Sequence, residues 1–177
     1  PDAFIQVAFQ VAQYRMFKQL RSCYEAVAVR TFAQGRTEVC RSCTAEALAF
    51  AKALAGGAEK ERLRELYRLA ERAHLARLAR AQEAMGAERH LFGLQYMYTM
   101  RGRELGLERP PAIFVDPGWL TLKRDSLSTS GIGAPFIRYF GFGPVVEDGL
   151  GLGYAPSAAF TNLLVTGYRG KSPDAAA

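Results

Sequence analysis

The stretch Leu127-Ser128-Thr129-Ser130 is followed by Phe140-Gly141-Phe142-Gly143-Pro144-Val145-Val146 and then by Asp148-Gly149. The first run predicts hydroxyl groups on a loop, and the second predicts a strand that is rich in aromatic residues and glycine. A hydroxyl beside such a strand can stabilise the oxyanion that develops during acyl transfer. This part of the chain therefore predicts a site for acyl transfer.

Three segments upstream add polar groups that suit a charged ligand. Tyr24 and Thr37 contribute two more hydroxyls, and Arg89 contributes a fixed cation. Together these side chains predict a pocket for a zwitterion. Each also has an ordinary explanation when taken alone: Tyr24 as a buried helix residue, Arg89 as a surface ion pair, and Ser128-Thr129-Ser130 as a loop whose hydroxyls cap backbone groups.

Composition is that of one ordinary globular domain, and we expect residues 1–177 to form a single domain. The chain has 177 residues, of which 49% are hydrophobic and 23% are charged, and it lacks the apolar run of about 20 residues that a membrane helix needs. A net charge of +6 favours an anionic partner. Arg and Glu alternate between Lys52 and Arg89, which is typical of a solvated helix face and disfavours nucleic acid as the partner.

The cysteines predict an intracellular, reducing environment and no metal site. Cys23, Cys40 and Cys43 are an odd number without a disulfide framework. Cys40 and Cys43 have the C-x-x-C spacing, but a zinc site needs a second pair of ligands, and neither His74 nor His90 belongs to a metal-spaced motif. Two ordinary thiols are therefore the favoured interpretation.

Hydrophobic periodicity predicts that the first hundred residues are mostly helical. Apolar residues on nearly every face predict a first, buried helix, and Gly35 suits its end. His74 is expected on the exposed Arg/Glu face of the third helix. The predicted helices run from Ala3 to about Ala33, from Ala45 to about Ala55, from Ala58 to about Met85, and from about Arg89 to Arg103.

Composition changes at Pro110-Pro111, after which short runs of strand-forming residues alternate with turn residues. The predicted fold is therefore α/β, with a helix-rich first part followed by a small mixed sheet. The predicted strands contain Ile113-Phe114-Val115, Ile137-Arg138-Tyr139-Phe140, Leu152-Gly153-Tyr154 and Leu163-Leu164-Val165.

Nearly end to end, the sequence resembles the carboxy-terminal half of the carnitine/choline acyltransferase family. The resemblance implies a fold like one chloramphenicol-acetyltransferase-like domain of that family, with the amino-terminal half of the protein absent from this chain. The matching stretches are Pro1-Asp2-Ala3-Phe4-Ile5-Gln6, Tyr24-Glu25, Gly35-Arg36-Thr37-Glu38 with Arg41-Ser42, Arg89-His90-Leu91-Phe92-Gly93-Leu94, Leu127-Ser128-Thr129-Ser130 and Gly143-Pro144-Val145-Val146-Glu147-Asp148-Gly149.

The resemblance implies reversible transfer of an acyl group between the thiol of coenzyme A and the hydroxyl of carnitine or choline. Acyl-CoA is then a co-substrate, and no permanently bound cofactor is expected. Arg89 is expected to bind the carnitine carboxylate through its planar guanidinium, with help from Tyr24 and Thr37. Because choline has no carboxylate, Thr37 and Arg89 favour carnitine as the acceptor.

The remaining roles also follow from the resemblance. Phe142 is expected to face the trimethylammonium group, and Ser130 to donate to the oxyanion. Ser128 is expected to help hold the bound carnitine. Asp2 and Glu25 match positions on the coenzyme A side of the family's site.

The general base of the family does not match either histidine of this chain. His90 lies in a motif where the base is not found, and His74 is expected on the exposed Arg/Glu helix. We therefore expect the base to come from the preceding half of the protein, and this chain alone to be inactive. A non-catalytic module that binds carnitine or coenzyme A is the alternative. By resemblance, a eukaryotic source would imply a mitochondrial or peroxisomal location, and membrane association is not evident.

Two departures from the family pattern affect the expected specificity. The family's Thr-Asp/Glu-Thr triplet is Thr37-Glu38-Val39 here, which removes one hydroxyl beside the carboxylate site. The bulky Phe140 stands where long-chain members tend to have glycine, although Gly141 is adjacent. We therefore expect short or medium acyl groups, and an apolar face that is exposed without the other half and leads to association.

Overall fold

The computed structural model describes residues 1–134 and 136–174, and it confirms the α/β class. Its elements, in chain order, are α1 (Asp2–Phe17), β1 (Cys23–Ala28), β2 (Thr37–Cys40), α2 (Ala45–Ala55), α3 (Lys60–Gln82), α4 (Glu88–Arg101), α5 (Ala112–Val115), α6 (Pro117–Lys123), β3 (Leu127–Gly131), β4 (Leu150–Pro156) and β5 (Thr161–Thr166).

The strands form one mixed sheet in the order β2-β1-β3-β4-β5. The central pairs β1–β3 and β3–β4 are parallel, whereas the outer pairs β1–β2 and β4–β5 are antiparallel. The mixed sheet is confirmed, but its predicted restriction to the second half of the chain is wrong. β1 and β2 come from the first part, and they place the upstream segments beside the downstream ones.

Helices α1 and α3 cover one face of the sheet, and α2 packs against both of them. Ile5 and Phe9 of α1 pack with Cys23, Leu127 and Leu152 in the main buried cluster. The Phe9 and Tyr154 rings add an edge-to-face contact with centroids 5.6 Å apart. Burying these apolar side chains, at about 1.5 to 3 kcal/mol for each large one, is the main source of stability at this interface.

A buried polar network crosses the same interface. Gln6 Nε2 donates to Thr129 Oγ1 (2.9 Å) and to the hydroxyl of Tyr154 (3.2 Å). The Ser42 hydroxyl donates to Gln6 Oε1 at 2.9 Å. Thr129 Oγ1 in turn donates to the backbone carbonyl of Tyr24 at 2.8 Å. Because buried polar groups need partners, this network fixes α1 against β1 and β3.

The predicted helix from Ala3 to Ala33 is too long. The α1 helix ends at Phe17, where Lys18 takes a left-handed conformation with φ of 57°. The following residues form β1, in which Cys23, Glu25 and Val27 are buried and alternate with less buried positions. The prediction failed because no glycine or proline marks the end of α1. The helix is apolar on many sides, so the alternating pattern of β1 was taken as its continuation.

The other helices agree with the sequence except in length. The predicted bounds of α2 are confirmed. Each end of α3 and α4 lies within one to three residues of its predicted position. Ile113-Phe114-Val115, however, lies in the short helix α5 and not in a strand, and Ile137–Phe140 forms no strand. Over the residues that the structure describes, none of the helices has the length and apolar character needed to cross a membrane.

Candidate functional site

The predicted hydroxyl residues lie on the face of the sheet opposite α1. Alternate residues of a strand point to opposite faces, and Thr129 points to α1, so Ser128 and Ser130 point away from it. Tyr24 is the register partner of Ser128 across the parallel pair β1–β3. We call this surface, which carries Tyr24, Ser128 and Ser130, the hydroxyl face.

Ser128-Thr129-Ser130 forms the middle of β3 and not the predicted loop. The polar composition favoured a loop, but each residue has a place in the sheet. Ser128 is buried, Thr129 is completely buried in the network with Gln6, and Ser130 is half-buried. A central strand holds the two serine hydroxyls more rigidly than a loop would, which suits a group that must be positioned before a reaction.

Tyr24 also lies in a strand, β1, and not in the expected helix. Thr37, the first residue of β2, is the antiparallel register partner of Ala28, which lies on the same face of β1 as Tyr24. The two hydroxyls are therefore on the same face of the sheet, and one nitrogen of Arg89 contacts both of them.

Arg89 completes this group from the first turn of α4. Its Nη2 donates to the Tyr24 hydroxyl at 2.9 Å and to Thr37 Oγ1 at 3.2 Å, and its Nε donates to the Thr37 carbonyl at 3.2 Å. The Arg89 side chain is exposed, and its Cζ lies 5.9 Å from the centre of the Tyr24 ring. The structure therefore brings together all three residues predicted to bind a carboxylate.

A half-buried ion-pair cluster fixes the start of α4, where Arg89 lies. The Arg41 guanidinium contacts Glu88 through two nitrogens and Asp125 through a third, each at 2.5 Å. The same Arg41 also donates to the Ser22 hydroxyl at 2.9 Å. Arg41 follows β2, Glu88 begins α4, and Asp125 precedes β3, so one side chain joins all three segments. The matching family motif contained Arg41, but nothing in the sequence indicated its partners.

The segment 140–143 crosses the hydroxyl face over β4, although it is not the predicted strand. A Cβ on Gly151 would lie 2.4 Å from the Phe142 carbonyl oxygen, and a Cβ on Gly153 would lie 2.2 Å from that of Phe140. The two glycines therefore let this backbone approach the sheet. Thr166 Oγ1 donates to the Phe142 carbonyl and holds the segment in place. Phe142 thus lies beside Gly151, the register partner of Ser128.

The two residues predicted on the coenzyme A side lie on the other face, around a buried histidine. His74 Nε2 lies 3.7 Å from Asp2 Oδ2 and 3.7 Å from Glu25 Oε2. Interaction with His74 lowers the pKa of Asp2, whereas burial, with the nearby Asp2 charge, raises the pKa of Glu25 to about 8. Glu25 is only 3% exposed, whereas Asp2 is half-buried at the start of α1.

The prediction that His74 lies on the exposed face of α3 is wrong. The residue is 1% exposed and lies on the buried face of this helix. It occupies the apolar stripe that α3 turns to the sheet, together with Leu66, Ala70 and Ala81. The i, i+4 spacing from Ala70 indicated this position, but the dense Arg and Glu residues around it hid the signal. His90, in contrast, is exposed on α4.

Gln6 and Tyr154 are further residues that the sequence analysis did not single out. Gln6, Gln10 and Gln13 are all buried along α1 and follow the i, i+4, i+7 spacing of one helix face. That spacing was a readable signal of a polar stripe facing the sheet. Tyr154 donates from its hydroxyl to Asp2 Oδ1 at 2.5 Å, a contact across 152 positions that no local pattern indicates.

The structure is a mixed sheet that is covered by helices on one face and carries a guanidinium and several hydroxyls on the other. The chain belongs to the choline/carnitine O-acyltransferase family, whose model matches residues 1–177. Membership confirms the resemblance that the ordered sequence motifs indicated.

Known relatives carry different names within this family. The chain is 38% identical to rat carnitine O-acetyltransferase over 169 residues, which cover 95% of this chain and 26% of the relative. It is 33% identical to rat mitochondrial carnitine O-palmitoyltransferase 2 over 175 residues (97% and 26%). It is 35% identical to mouse choline O-acetyltransferase over 173 residues (96% and 26%). The chain thus spans about a quarter of the length of the curated relatives it matches.

Proposed function

We propose that this chain is the carboxy-terminal part of a carnitine acyltransferase and binds carnitine and acyl-CoA. The reaction is reversible transfer of an acyl group from the sulfur of coenzyme A to the carnitine hydroxyl. The observation that carries the proposal is the Arg89–Tyr24–Thr37 cluster, which lies on the same face of the sheet as Ser128 and Ser130.

In this proposal Arg89 binds the carnitine carboxylate. The Tyr24 and Thr37 hydroxyls already contact the guanidinium, so they orient it and are free to donate their own protons to the carboxylate. Hydrogen bonds between charged groups are worth about 1.5 to 3 kcal/mol each. Phe142 supplies an aromatic ring for the trimethylammonium group, and this contact is worth about 0.5 to 2 kcal/mol.

The serines of β3 take the acyl-transfer roles. A base removes the proton of the carnitine hydroxyl, the oxygen attacks the thioester carbonyl, and the carbonyl oxygen becomes negatively charged. Ser130 donates a hydrogen bond to that oxyanion, while Ser128 holds the bound carnitine. The coenzyme A thiolate then leaves and takes the proton, which balances the reaction.

We infer that the general base comes from the preceding half of the protein. His74 is buried on the face opposite Ser128 and Ser130 and lies between two carboxylates, which supports excluding it. Asp2 is half-buried and remains a candidate for contact with coenzyme A. Because Glu25 is buried, we propose that it influences coenzyme A binding through Asp2 and does not contact coenzyme A itself.

Activity assays with two forms of the protein test this function. The 177-residue chain is expected to show no acyl transfer, and the full-length protein to transfer acetyl groups from acetyl-CoA to carnitine. In the full-length protein Ser130→Ala is expected to lower kcat about a hundredfold. If the full-length protein binds carnitine or coenzyme A without any turnover, the chain is a non-catalytic binding module and the proposal is wrong.

The preferred acyl group is the finer part of the proposal. The Phe140 and Phe142 rings lie side by side, 6.1 Å apart, in the segment over β4. This bulk favours short or medium chains. Turnover by the full-length protein should therefore fall beyond medium-chain acyl-CoA, and an optimum at palmitoyl-CoA would contradict this. We also propose an intracellular setting, mitochondrial or peroxisomal if the source is eukaryotic.

A further inference from the structure

A second cluster of polar side chains lies on the sheet face that α3 covers. Glu25 and Cys40 are direct register partners across β1 and β2, so their side chains are on the same face. His74 of α3 packs against them. One ligand atom from each of the three lies within 4.8 Å of the other two, and all three residues are buried. Histidine, cysteine and carboxylate are the side chains that bind Zn²⁺ in proteins.

Three polar atoms of this cluster have no hydrogen-bond partner among the residues that the structure describes. Glu25 Oε2 and both ring nitrogens of His74 are the three atoms, and all of them are buried. A buried polar atom without a hydrogen bond is destabilising, so three such atoms on two neighbouring side chains require an explanation. A bound cation would satisfy the carboxylate oxygen and one ring nitrogen together.

We propose that Glu25, Cys40 and His74 bind one divalent transition-metal ion, for which Zn²⁺ is the best match. Bonds of about 2.0 to 2.3 Å in a tetrahedron place ligand atoms about 3.3 to 3.8 Å apart. The separation of 3.7 Å between His74 Nε2 and Glu25 Oε2 exceeds the nitrogen–oxygen edge of about 3.3 to 3.4 Å only slightly, so a small side-chain movement brings both atoms onto one ion. Asp2 Oδ2 is also 3.7 Å from His74 Nε2 but lies outside the group of three, so it becomes the fourth ligand only after its side chain moves.

The mixture of ligand types selects the metal. Mg²⁺ and Ca²⁺ prefer oxygen ligands, whereas thiolate and imidazole favour Zn²⁺ and its neighbours in the first transition row. Binding requires Cys40 and Glu25 to release their protons to solvent, and it involves no oxidation or reduction. The Tyr154 hydroxyl, which donates to Asp2 at 2.5 Å, orients the fourth ligand from outside.

This site differs from the C-x-x-C pair that the sequence suggested. Cys43 packs against the cluster of α1 and the central strands, whereas Cys40 packs with Val27 and Ala81. The ion would join β1, β2, α3 and the start of α1, on the face opposite Ser128 and Ser130. Its role is therefore to hold the scaffold that carries Tyr24, the neighbour of Glu25.

Metal titration of the 177-residue chain tests the proposal. After treatment with a chelator, the chain is expected to bind one Zn²⁺ by calorimetry and by competition with a chromogenic chelator. Co²⁺ is expected to bind in its place and to give both the intense visible bands of a tetrahedral site and a thiolate-to-cobalt charge-transfer band. Zn²⁺ is also expected to raise Tm, because it binds the folded chain preferentially.

Matched variants identify the ligands. Cys40→Ser and His74→Gln are expected to weaken Zn²⁺ binding at least about tenfold and to remove the charge-transfer band or change its shape. Cys43→Ser and His90→Gln retain wild-type binding. Circular dichroism checks folding; if the Cys40 or His74 variant does not fold, the wild-type Co²⁺ spectrum decides. The proposal is overturned if wild type gives no thiolate band, or if binding depends on Cys43 or His90.

Discussion

At the scale of single residues, the site depends on how Arg89 is held. An exposed arginine normally samples many conformations, but here its guanidinium donates to Tyr24 and to both oxygens of Thr37. These contacts use the protons of Nε and Nη2 and leave those of Nη1 to a ligand. A guanidinium held in this way would lose little conformational entropy on binding the carboxylate that we propose as its ligand.

Replacing Arg89 by lysine in the full-length protein tests this arrangement. Lysine keeps the charge but cannot make the same planar, forked contact. We expect Arg89→Lys to raise the KM for carnitine about ten- to a hundredfold with little change in kcat, since a contact made equally in ground and transition states is lost. Arg101→Lys on the same helix is the matched control, because within the described part of the chain Arg101 forms an ion pair only with the exposed Glu104. An unchanged KM in Arg89→Lys would contradict the proposed carboxylate contact.

The order of the sequence motifs grouped Arg89, Tyr24 and Thr37, and the structure places them in contact. Their role in binding stays a prediction. The local structure of Tyr24 and the burial of His74 were predicted wrongly. Both depend on which strands pair and which helix covers them, and such contacts between distant segments leave little trace in local periodicity.

At the scale of elements, strand β4 is fitted to the segment that crosses it. Gly151 and Gly153 are both buried, and neither has the positive φ that would require glycine for backbone reasons. Glycine is needed there because the backbone of residues 140–143 lies directly against the strand. The sequence showed the alternating glycines of Leu150-Gly151-Leu152-Gly153 but not the segment that they accommodate.

A methyl group at Gly153 should therefore displace this segment. Its Cβ would lie 2.2 Å from the Phe140 carbonyl oxygen, so the backbone must move. We expect Gly153→Ala to lower the free energy of unfolding by about 1 to 3 kcal/mol. Urea denaturation measures the change. Gly143→Ala is the control, because a Cβ there meets no atom within 4 Å. Equal stability of the two variants would show that the segment does not press on β4.

The start of α4 depends on the ion pairs of Arg41. The side chains of Arg41, Glu88 and Asp125 are only 10%, 15% and 16% exposed, so removing the cation leaves two carboxylates poorly solvated and unpaired. We expect Arg41→Leu to lower the free energy of unfolding by about 3 to 5 kcal/mol. Arg64→Leu, which removes an exposed pair with Glu61, should cost no more than about 1 kcal/mol.

Glu88→Gln separates the effect on α4 from the effect on the fold. It keeps the shape of the side chain next to Arg89 but weakens its pairing with Arg41. We expect a smaller loss of stability than for Arg41→Leu, together with a raised KM for carnitine in the full-length protein. A KM equal to wild type would show that Arg41 supports the fold without positioning Arg89.

At the scale of the whole molecule, several apolar surfaces lack a partner within the described chain. Helix α4 has no buried residue, although a helix that is apolar on several sides is normally buried. Its Phe92 is 52% exposed and its Met97 is 42% exposed. The outer strand β5 adds Leu163, Leu164 and Val165 at the edge of the sheet, exposed by 47%, 42% and 37%.

The α/β class was predictable from composition and periodicity, because strand-forming runs and helical periods are local signals, but β1 and β2 were missed. The strand order was not predictable, because β1 pairs with β3 across more than a hundred residues of sequence. The unpartnered surfaces were expected from the family resemblance and not from any residue pattern. A single sequence does not distinguish an apolar residue that packs within the chain from one that packs against another segment.

Exposed apolar area of this kind should make the isolated chain associate. Contiguous apolar patches on a monomer favour self-association or binding of a partner, and β5 also offers unpaired backbone groups at an edge. We expect light scattering after gel filtration to detect dimers or larger species at micromolar concentration, and a hydrophobic dye to bind strongly. Phe92→Gln with Met97→Gln should reduce both signals without loss of helix content, since neither side chain is buried.

If the preceding half of the protein covers these surfaces, the full-length protein should be free of this association and should bind little dye. A monomeric chain that binds no dye would mean that α4 and β5 tolerate solvent, and the exposed surfaces would then no longer support the proposed missing half.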